Sequence, residues 1–238
     1  MTRRIIPLLM IALIYGNAAI LKAQEPLNKN WDSQKIKGVR YVPYPSLDGS
    51  PFLFDIWLQG NVEFSNGEIS DTLSIRYSAY EDELIYYNKE IPCHVVIDKE
   101  TISGFSITNK KGNTRFFRKQ YYDGSQPGDH FFEVLSKGAT DLIVYRRHFL
   151  VKVQLYTGDN GIANDQAYVP SYQYFFYSSE KGYTTVRLNE NSFLDQFEVK
   201  DRKPVKRVLR KNKIDIQDEE TLVLAWHTIE KGGFKVIF

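Results

Sequence analysis

The chain of 238 residues is poor in cysteine, because Cys93 is its single one. One cysteine excludes a disulfide framework within the chain, so a buried core must hold the fold together. Long apolar runs are also missing after the first 23 residues, and a helix needs ~20 such residues to span a membrane. We therefore expect the main part of the chain to contain no membrane-spanning helix.

Sequence patterns of catalytic and metal sites are missing as well. The four histidines, His94, His130, His148 and His227, do not show the spacing of metal ligands on one element. Cys93 and His94 are neighbours, but neighbouring side chains of a strand point to opposite faces and cannot form a nucleophile and base pair. We predict no metal, no cofactor and no catalytic residue, and we lean towards a protein that is not an enzyme.

The N-terminus has the layout of a secretory signal peptide. Two arginines precede an apolar run over residues 5–15, and small and polar residues follow. We predict that residues 1–23 are removed by cleavage after Ala23, with cleavage after Ala18 as the alternative. The mature protein is then expected in the periplasm or at the outer-membrane surface.

The body of the chain shows the pattern of an antiparallel β domain. Residues 24–49 are predicted to form an irregular leader, residues 50–188 a β body, and residues 189–238 a helical tail packed on the same domain. Asn66-Gly67 lies between two alternating apolar runs and predicts a hairpin. Further strands are expected at 84–87, 94–97, 102–108, 114–121, 130–136, 139–156, 168–177 and 183–188. The fold class is mainly β: an antiparallel meander sheet or an open barrel with a short C-terminal helical tail.

The strand predicted between residues 141 and 156 alternates in polarity. Apolar residues such as Ile143, Tyr145 and Val151 occupy odd positions, whereas the polar residues Arg146, His148, Lys152 and Gln154 occupy even ones. Because side chains alternate across a strand, this pattern predicts one face in the core and one face in water.

After Leu188 the apolar period changes towards that of a helix. We predict a first helix behind the cap Asn189, a second from Pro204 to about Lys211, and a third capped by Asp218.

The segment SPFLFDIWLQGNVEFSNGEISDTLSIRYSAYEDELIYYN, residues 50–88, together with the helical tail, resembles a set of exported, β-rich proteins of Bacteroidota whose function is unassigned. The shared motifs are structural: a Phe-Asp-x-Trp strand start, the Asn-Gly hairpin and an aromatic-rich strand. The resemblance implies export and a β fold, and it brings no catalytic residue.

A basic segment is the first candidate binding site. Residues 200–213 contain eight Lys or Arg and one Asp. The chain as a whole is nearly neutral, because loss of three basic residues with the signal peptide changes its formal net charge from +2 to −1. If a helix begins at Pro204, Lys203, Lys206, Arg207 and Arg210 project mainly from one side. Acidic lipid head groups, lipopolysaccharide or an acidic envelope protein are the expected partners, and nucleic acid is not. A solvated helix face without a partner is the alternative interpretation.

Aromatic residues are the second candidate. In the strand at 168–177, Tyr172 and Tyr174 share one face, while Phe175 and Tyr177 share the other. Such a strand is either buried on both sides or carries an aromatic strip that binds a glycan, a peptide or a lipid.

The function that these observations favour is that of an exported, non-catalytic envelope protein that binds another envelope protein, a glycan or an acidic lipid head group. A hydrolase acting on an envelope polymer is the first alternative, because paired carboxylates leave no sequence pattern. A small outer-membrane β-barrel is the second alternative. The sequence leaves the ligand and the oligomeric state open.

Overall fold

Eleven strands and three helices make up the computed structural model, which describes residues 35–157 and 163–238. The predicted signal peptide and the first part of the predicted leader lie outside the described residues. The strands are β1 Gly38–Arg40, β2 Leu58–Phe64, β3 Leu73–Ser78, β4 Glu83–Asn88, β5 Cys93–Ile97, β6 Ile102–Thr108, β7 Thr114–Tyr122, β8 Gly128–Ser136, β9 Asp141–Thr157, β10 Ala163–Ser178 and β11 Gly182–Val186. The helices are α1 Glu190–Leu194, α2 Val199–Lys211 and α3 Glu219–Lys231, and a short 3-10 helix spans Lys99–Thr101.

All eleven strands belong to one antiparallel sheet in the order β1-β5-β4-β3-β2-β6-β7-β8-β9-β10-β11. The sheet is not closed, since β1 and β11 stand at its two ends. The predicted fold class, a mainly β antiparallel meander with a C-terminal helical tail, is confirmed.

The N-terminal half of the sheet, β1 to β6, curls around its own core. The link at residues 98–101 joins β5 to β6, although β4, β3 and β2 lie between these strands in the sheet. Because four residues span only about 14 Å when extended, the strands must bend until the ends of β5 and β6 approach each other. The residues enclosed by this bend form one apolar cluster, which includes Val62, Ile75, Tyr77, Leu84, Ile102, Phe105, Phe117 and Phe131.

The C-terminal half, β7 to β11, is covered by the helices on the face that we call the helix face. This face carries Val144 and Tyr174, and the register from β6 to β9 shows that Phe117 lies on the same face. α2 and α3 pack on it through fully buried apolar side chains, among them Val205, Leu209, Leu222, Trp226 and Ile229. The cover is needed because an apolar sheet face gains stability only when another layer removes it from water.

The opposite side, which we call the aromatic face, holds a separate cluster in the C-terminal half. Phe132, Tyr145 and Phe175 are buried there, and further aromatic rings pack around them. The Tyr183 hydroxyl in β11 donates to the Tyr121 carbonyl in β7 at 2.8 Å, although three strands separate β7 from β11. The C-terminal half therefore bends over its aromatic face.

The central strand β9 differs from the expectation that its even positions face water. Arg146 and His148 are only 4% and 6% exposed. The Arg146 side chain is paired with Glu133 and with Glu219 of the helical tail, whereas His148 Nδ1 lies 2.6 Å from the Ser50 carbonyl oxygen. Alternation of polar and apolar residues therefore indicated the strand correctly, and Lys152 and Gln154 are exposed as predicted, but the environment predicted for Arg146 and His148 is wrong.

Two element boundaries also differ from the expectations. β1 forms within the segment predicted to be an irregular leader, because its backbone pairs with β5. α2 begins at Val199 and continues through Pro204, which was predicted to open it. The Glu198 carbonyl accepts from the N–H groups of Asp201 and Arg202, so the first turn is complete before the proline.

The third helix begins as predicted. The Asp218 carboxylate accepts a hydrogen bond from the Thr221 N–H at 2.8 Å, and the Thr221 hydroxyl oxygen accepts one from the Asp218 N–H. This reciprocal capping satisfies backbone donors that a helix start leaves free.

Candidate binding groove

A groove of about 550 Å³ crosses the aromatic face over β2, β6, β7 and β8. The register places Asn61, Ser106 and Phe116 side by side on three neighbouring strands. The lining is completed mainly by apolar groups, and its residues are Asn61, Glu63, Ile69, Phe105, Ser106, Phe116, Phe117, Arg118, Val134, Leu135, Ser136 and Lys137.

The C-terminal end of β8 forms one wall of the groove, because there β8 is no longer paired with β7. Pairing between β7 and β8 ends at Phe117 and Glu133, whereas β8 stays paired with β9 up to Ser136 through an irregular step. Leu135 packs on the core beneath the helices, and Ser136 Oγ lies 2.9 Å from His227 Nε2 of α3. These contacts with the helical layer draw the last residues of β8 away from β7.

The floor of the groove is low at Ser106 of β6, because this lining residue has a small side chain. Gly104, two residues earlier, lies close to the β7 backbone, since a Cβ atom there would lie 2.4 Å from the Phe117 carbonyl oxygen. Ligand groups entering the groove would therefore approach the β6 backbone closely.

Two apolar side chains at the groove are exposed to water. Phe116 is 60% exposed and Ile69 is 54% exposed. Charged groups stand around them: Glu63, Lys137 and Arg118. Arg118 is partly neutralised, since its Nη2 donates to Asp141 Oδ2 at 2.7 Å. The arrangement, an apolar centre with a polar rim, is that of a binding surface.

On the helix face, which is the opposite face of the sheet from the groove, a series of ion pairs connects the sheet to α3. Glu133 accepts from both Arg115 and Arg146, and the Arg146 guanidinium also donates to both oxygens of Glu219 at 2.8 Å. Burial alone would lower the pKa of Arg146, but the charges and hydrogen bonds of Glu133 and Glu219 raise it above its ordinary value. We call these four residues the seam.

A second buried carboxylate belongs to Asp82, in the turn between β3 and β4. It accepts from the Tyr77 hydroxyl and from Lys99 Nζ, both at 2.6 Å, and lies 2.9 Å from His130 Nδ1. The Tyr145 hydroxyl lies 2.7 Å from the same ring nitrogen, and burial raises the pKa of Tyr145. Because the Asp82 side chain is 2% exposed, its charge serves to join strands rather than to meet a ligand.

The two predicted tyrosines have different environments. Tyr174 is buried on the helix face, and its burial together with the nearby Glu219 charge raises its pKa to about 12. Tyr172 is 38% exposed, and its ring lies 4.7 Å from the Arg146 guanidinium carbon and stacks on His148. Tyr174 is thus a core residue, and Tyr172 leaves only part of its ring for a ligand.

The predicted basic residues lie on α2, and their side chains make no recorded contact with the two tyrosines. Lys203, Arg207 and Arg210 are exposed, and within the described part of the chain they form no ion pair. Lys206 instead binds Glu190 of α1 at 2.5 Å. The tyrosine and lysine candidates therefore do not form one site.

The sequence does not predict the groove, although one feature of it points to an exposed aromatic residue there. Phe116 and Phe117 are adjacent in β7, between Arg115 and Arg118. Adjacent side chains of a strand point to opposite faces, so one of the two phenylalanines had to leave the N-terminal core. The sequence could not tell that this face would be uncovered.

In residues 35–157 and 163–238, no group of three or more His, Cys, Asp or Glu side chains is placed to hold a metal ion. None of the helices in this part of the chain is long and apolar enough to cross a membrane. Comparison with known proteins finds no matching family model, no matching curated protein and no matching solved structure.

Proposed function

We propose that this protein is a non-catalytic binding protein of the bacterial cell envelope, and that the groove over β2, β6, β7 and β8 takes an apolar segment of another envelope protein. The observation that carries the proposal is the exposed Phe116 side chain at the centre of the groove.

The dimensions and the lining of the groove support this function. Its volume of about 550 Å³ falls within the ~300–1,000 Å³ of typical ligand pockets. Burying the Phe116 ring and the Ile69 side chain under a partner removes apolar surface from water, which is favourable. Glu63 and Lys137 at the rim provide opposite charges that orient the bound segment.

The envelope location rests on the signal-peptide layout of residues 1–23. Mass spectrometry of the protein from cell envelopes is expected to find an N-terminus at Gln24 or nearby. An intact Met1 terminus would contradict export by a cleaved signal.

The groove is tested by placing a photoreactive phenylalanine analogue at position 116 and crosslinking in living cells. We expect one adduct of defined mass from position 116. The same analogue at Tyr121, which is 64% exposed on the same strand but outside this groove, serves as the matched control and is expected to give no such adduct.

Blocking the groove separates a specific ligand from a chance neighbour. Ser106→Gln fills the floor with a longer side chain and leaves the core untouched, so it should abolish the adduct at position 116. An adduct that persists in this variant, or that also forms from position 121, would refute the groove as the binding site. Release of products from envelope polymers by the purified protein would instead favour the hydrolase alternative.

A further inference from the structure

We propose that α2 and the neighbouring C-terminus dock the protein onto a surface of anionic lipid head groups. This second surface is independent of the groove and of its ligand. It has two parts: a basic face on α2, formed by Lys200, Lys203, Arg207, Arg210 and Lys211, and an apolar tip formed by Val199, Ile237 and Phe238.

The basic face points away from the sheet. With 3.6 residues per turn, its five cations fall within an arc of about 100° on one side of the helix. Val205 and Leu209 lie on the other side and are fully buried against the core. The packing of these two residues therefore presents the cations outward together.

Most of the charge on this face is not neutralised by the protein. Lys200 binds Glu198 at 2.7 Å, but Lys203, Arg207 and Arg210 have no ion pair within the described residues. Other acidic groups near the helix are already paired with side chains on its flanks, Asp195 with Arg202 and Glu190 with Lys206. Asp201 is the single acidic residue inside α2, so an excess of positive charge remains.

The apolar tip lies beside the first turn of α2. Val199 is 80% exposed, and Ile237 and Phe238 are 40% and 41% exposed. A shallow pocket brings the C-terminal residues 232–238 together with Glu198, Lys200 and Asp201, and Lys181 and Lys235 also line it. Lys181 Nζ lies 5.7 Å from the centre of the Phe238 ring.

Exposed apolar side chains surrounded by lysines match the chemistry of a membrane interface. Lysine and arginine are attracted by anionic head groups, while apolar side chains enter the boundary of the acyl chains. An acidic polypeptide or a nucleic acid accounts for the cations, whereas the exposed apolar tip beside them matches the acyl-chain boundary of a bilayer. The combination therefore favours a lipid surface.

The test is co-sedimentation of the mature protein with phosphatidylcholine vesicles that contain or lack phosphatidylglycerol. We expect binding to the anionic vesicles only. Binding should weaken strongly between 0.1 M and 1 M salt, as the Debye length falls from ~10 Å to ~3 Å. Lys203→Gln, Arg207→Gln and Arg210→Gln combined should reduce the partition coefficient on the order of 100-fold, at roughly fivefold for each charge.

The apolar tip is tested by Val199→Ser combined with Phe238→Ser, which should weaken binding several-fold while its salt dependence remains. Lys89→Gln, Lys110→Gln and Lys111→Gln combined form the matched control, because they remove the same charge from exposed positions in the other half of the sheet. This control should bind like the wild type. Since all the replaced residues are exposed, folding is expected to be unchanged, and circular dichroism checks it.

Three results would overturn the proposal. The first is equal binding to neutral and anionic vesicles, or no binding to either. The second is the same loss in the α2 variant and in the matched control. The third is that the wild type binds polyglutamate, the α2 variant does not, and anionic vesicles sediment neither protein. This result would assign the basic face to an acidic polypeptide.

Discussion

The two halves of the sheet bury their apolar faces in different ways. In the N-terminal half, the short link from β5 to β6 bends the strands around a shared core. In the C-terminal half, α2 and α3 cover the helix face, while aromatic rings pack together on the other face. The strands also differ in length, with three to seven residues in β1 to β6 and five to seventeen in β7 to β11, so the strands and the connections between elements both distinguish the two halves.

The difference also explains where the two proposed surfaces lie. The groove opens on the outer face of strands whose inner face is the N-terminal core, and no helix among the described residues covers it. The basic face belongs to the helical cover itself. The groove thus lies on the sheet where the two halves meet, over β2 and β6 and over β7 and β8, whereas the basic face lies on the helical layer of the C-terminal half.

The seam links β7, β8 and β9 of the C-terminal half to α3, so breaking it should have the largest effect. Glu133→Ala leaves the buried Arg146 without one of its two carboxylate partners and Arg115 without its own. Loss of one member of a buried ion pair costs about 3–5 kcal/mol, and we expect a loss of this size in the free energy of unfolding, measured in urea. Glu90→Ala, at an exposed position, should change it by less than about 0.5 kcal/mol. Equal effects of the two substitutions would refute the role of the seam.

Asp82 offers a more local test within the N-terminal half. Asp82 has a φ of 59°, a left-handed conformation that asparagine also tolerates. Asp82→Asn therefore removes the charge that Lys99 and His130 face without adding backbone strain. Hydrogen bonds to charged groups contribute about 1.5–3 kcal/mol, so we expect a loss near the middle of this range. A variant as stable as the wild type in urea unfolding would show that the carboxylate charge is not needed.

Alkaline pH should weaken the contact of the C-terminal half with α3. The pKa of Tyr174 is raised from 10.0 to about 12 by burial and the Glu219 charge. A raised folded pKa gives stability that is present below pH 10 and is lost as the pH rises towards 12. Tyr174→Phe should lose less stability over this range than the wild type, as urea unfolding at several pH values measures. The same decline in both proteins would contradict the assignment to Tyr174.

The smallest effect is expected at the start of α3. The pKa of Asp218 is lowered from 3.8, first by the Thr221 N–H hydrogen bond. A lowered folded pKa gives stability that is present above pH 3.8 and is lost as the pH falls through the lower folded value. Asp218→Ala should therefore be less stable than the wild type at pH 7, and the gap between their urea midpoints should narrow in acid. A gap that stays constant with pH would contradict a role for the Asp218 charge.

Much of the fold could be predicted from local patterns. The alternating runs predicted β6 with its bounds and most other strands within a few residues. Asn189 and Asp218 were recognised as helix caps because their side chains act on N–H groups only three residues away. These features depend on neighbours in the chain, which the sequence displays directly.

The environments of single residues could not be predicted in the same way. Arg146 and His148 were expected in water but are buried, because distant parts of the chain cover them. Arg146 is paired with Glu219 of α3, more than seventy residues later, and His148 Nδ1 lies 2.6 Å from the Ser50 carbonyl oxygen, nearly a hundred residues earlier. Phe116 was not recognised as a surface residue, since only the departure of β8 from β7 exposes it beside a groove.

The sequence by itself determined the elements of this protein: its strands, its turns, its helix caps and the concentration of positive charge on α2. Only the tertiary structure decided the strand order, the cover of each face, the seam and the groove. The physical reason is the sequence separation of the interacting residues. Hydrogen-bond periodicity and capping act between residues a few positions apart, whereas burial depends on which distant elements meet. Glu133 shows both levels, as it is one position in an alternating strand by sequence and the junction of three elements by structure.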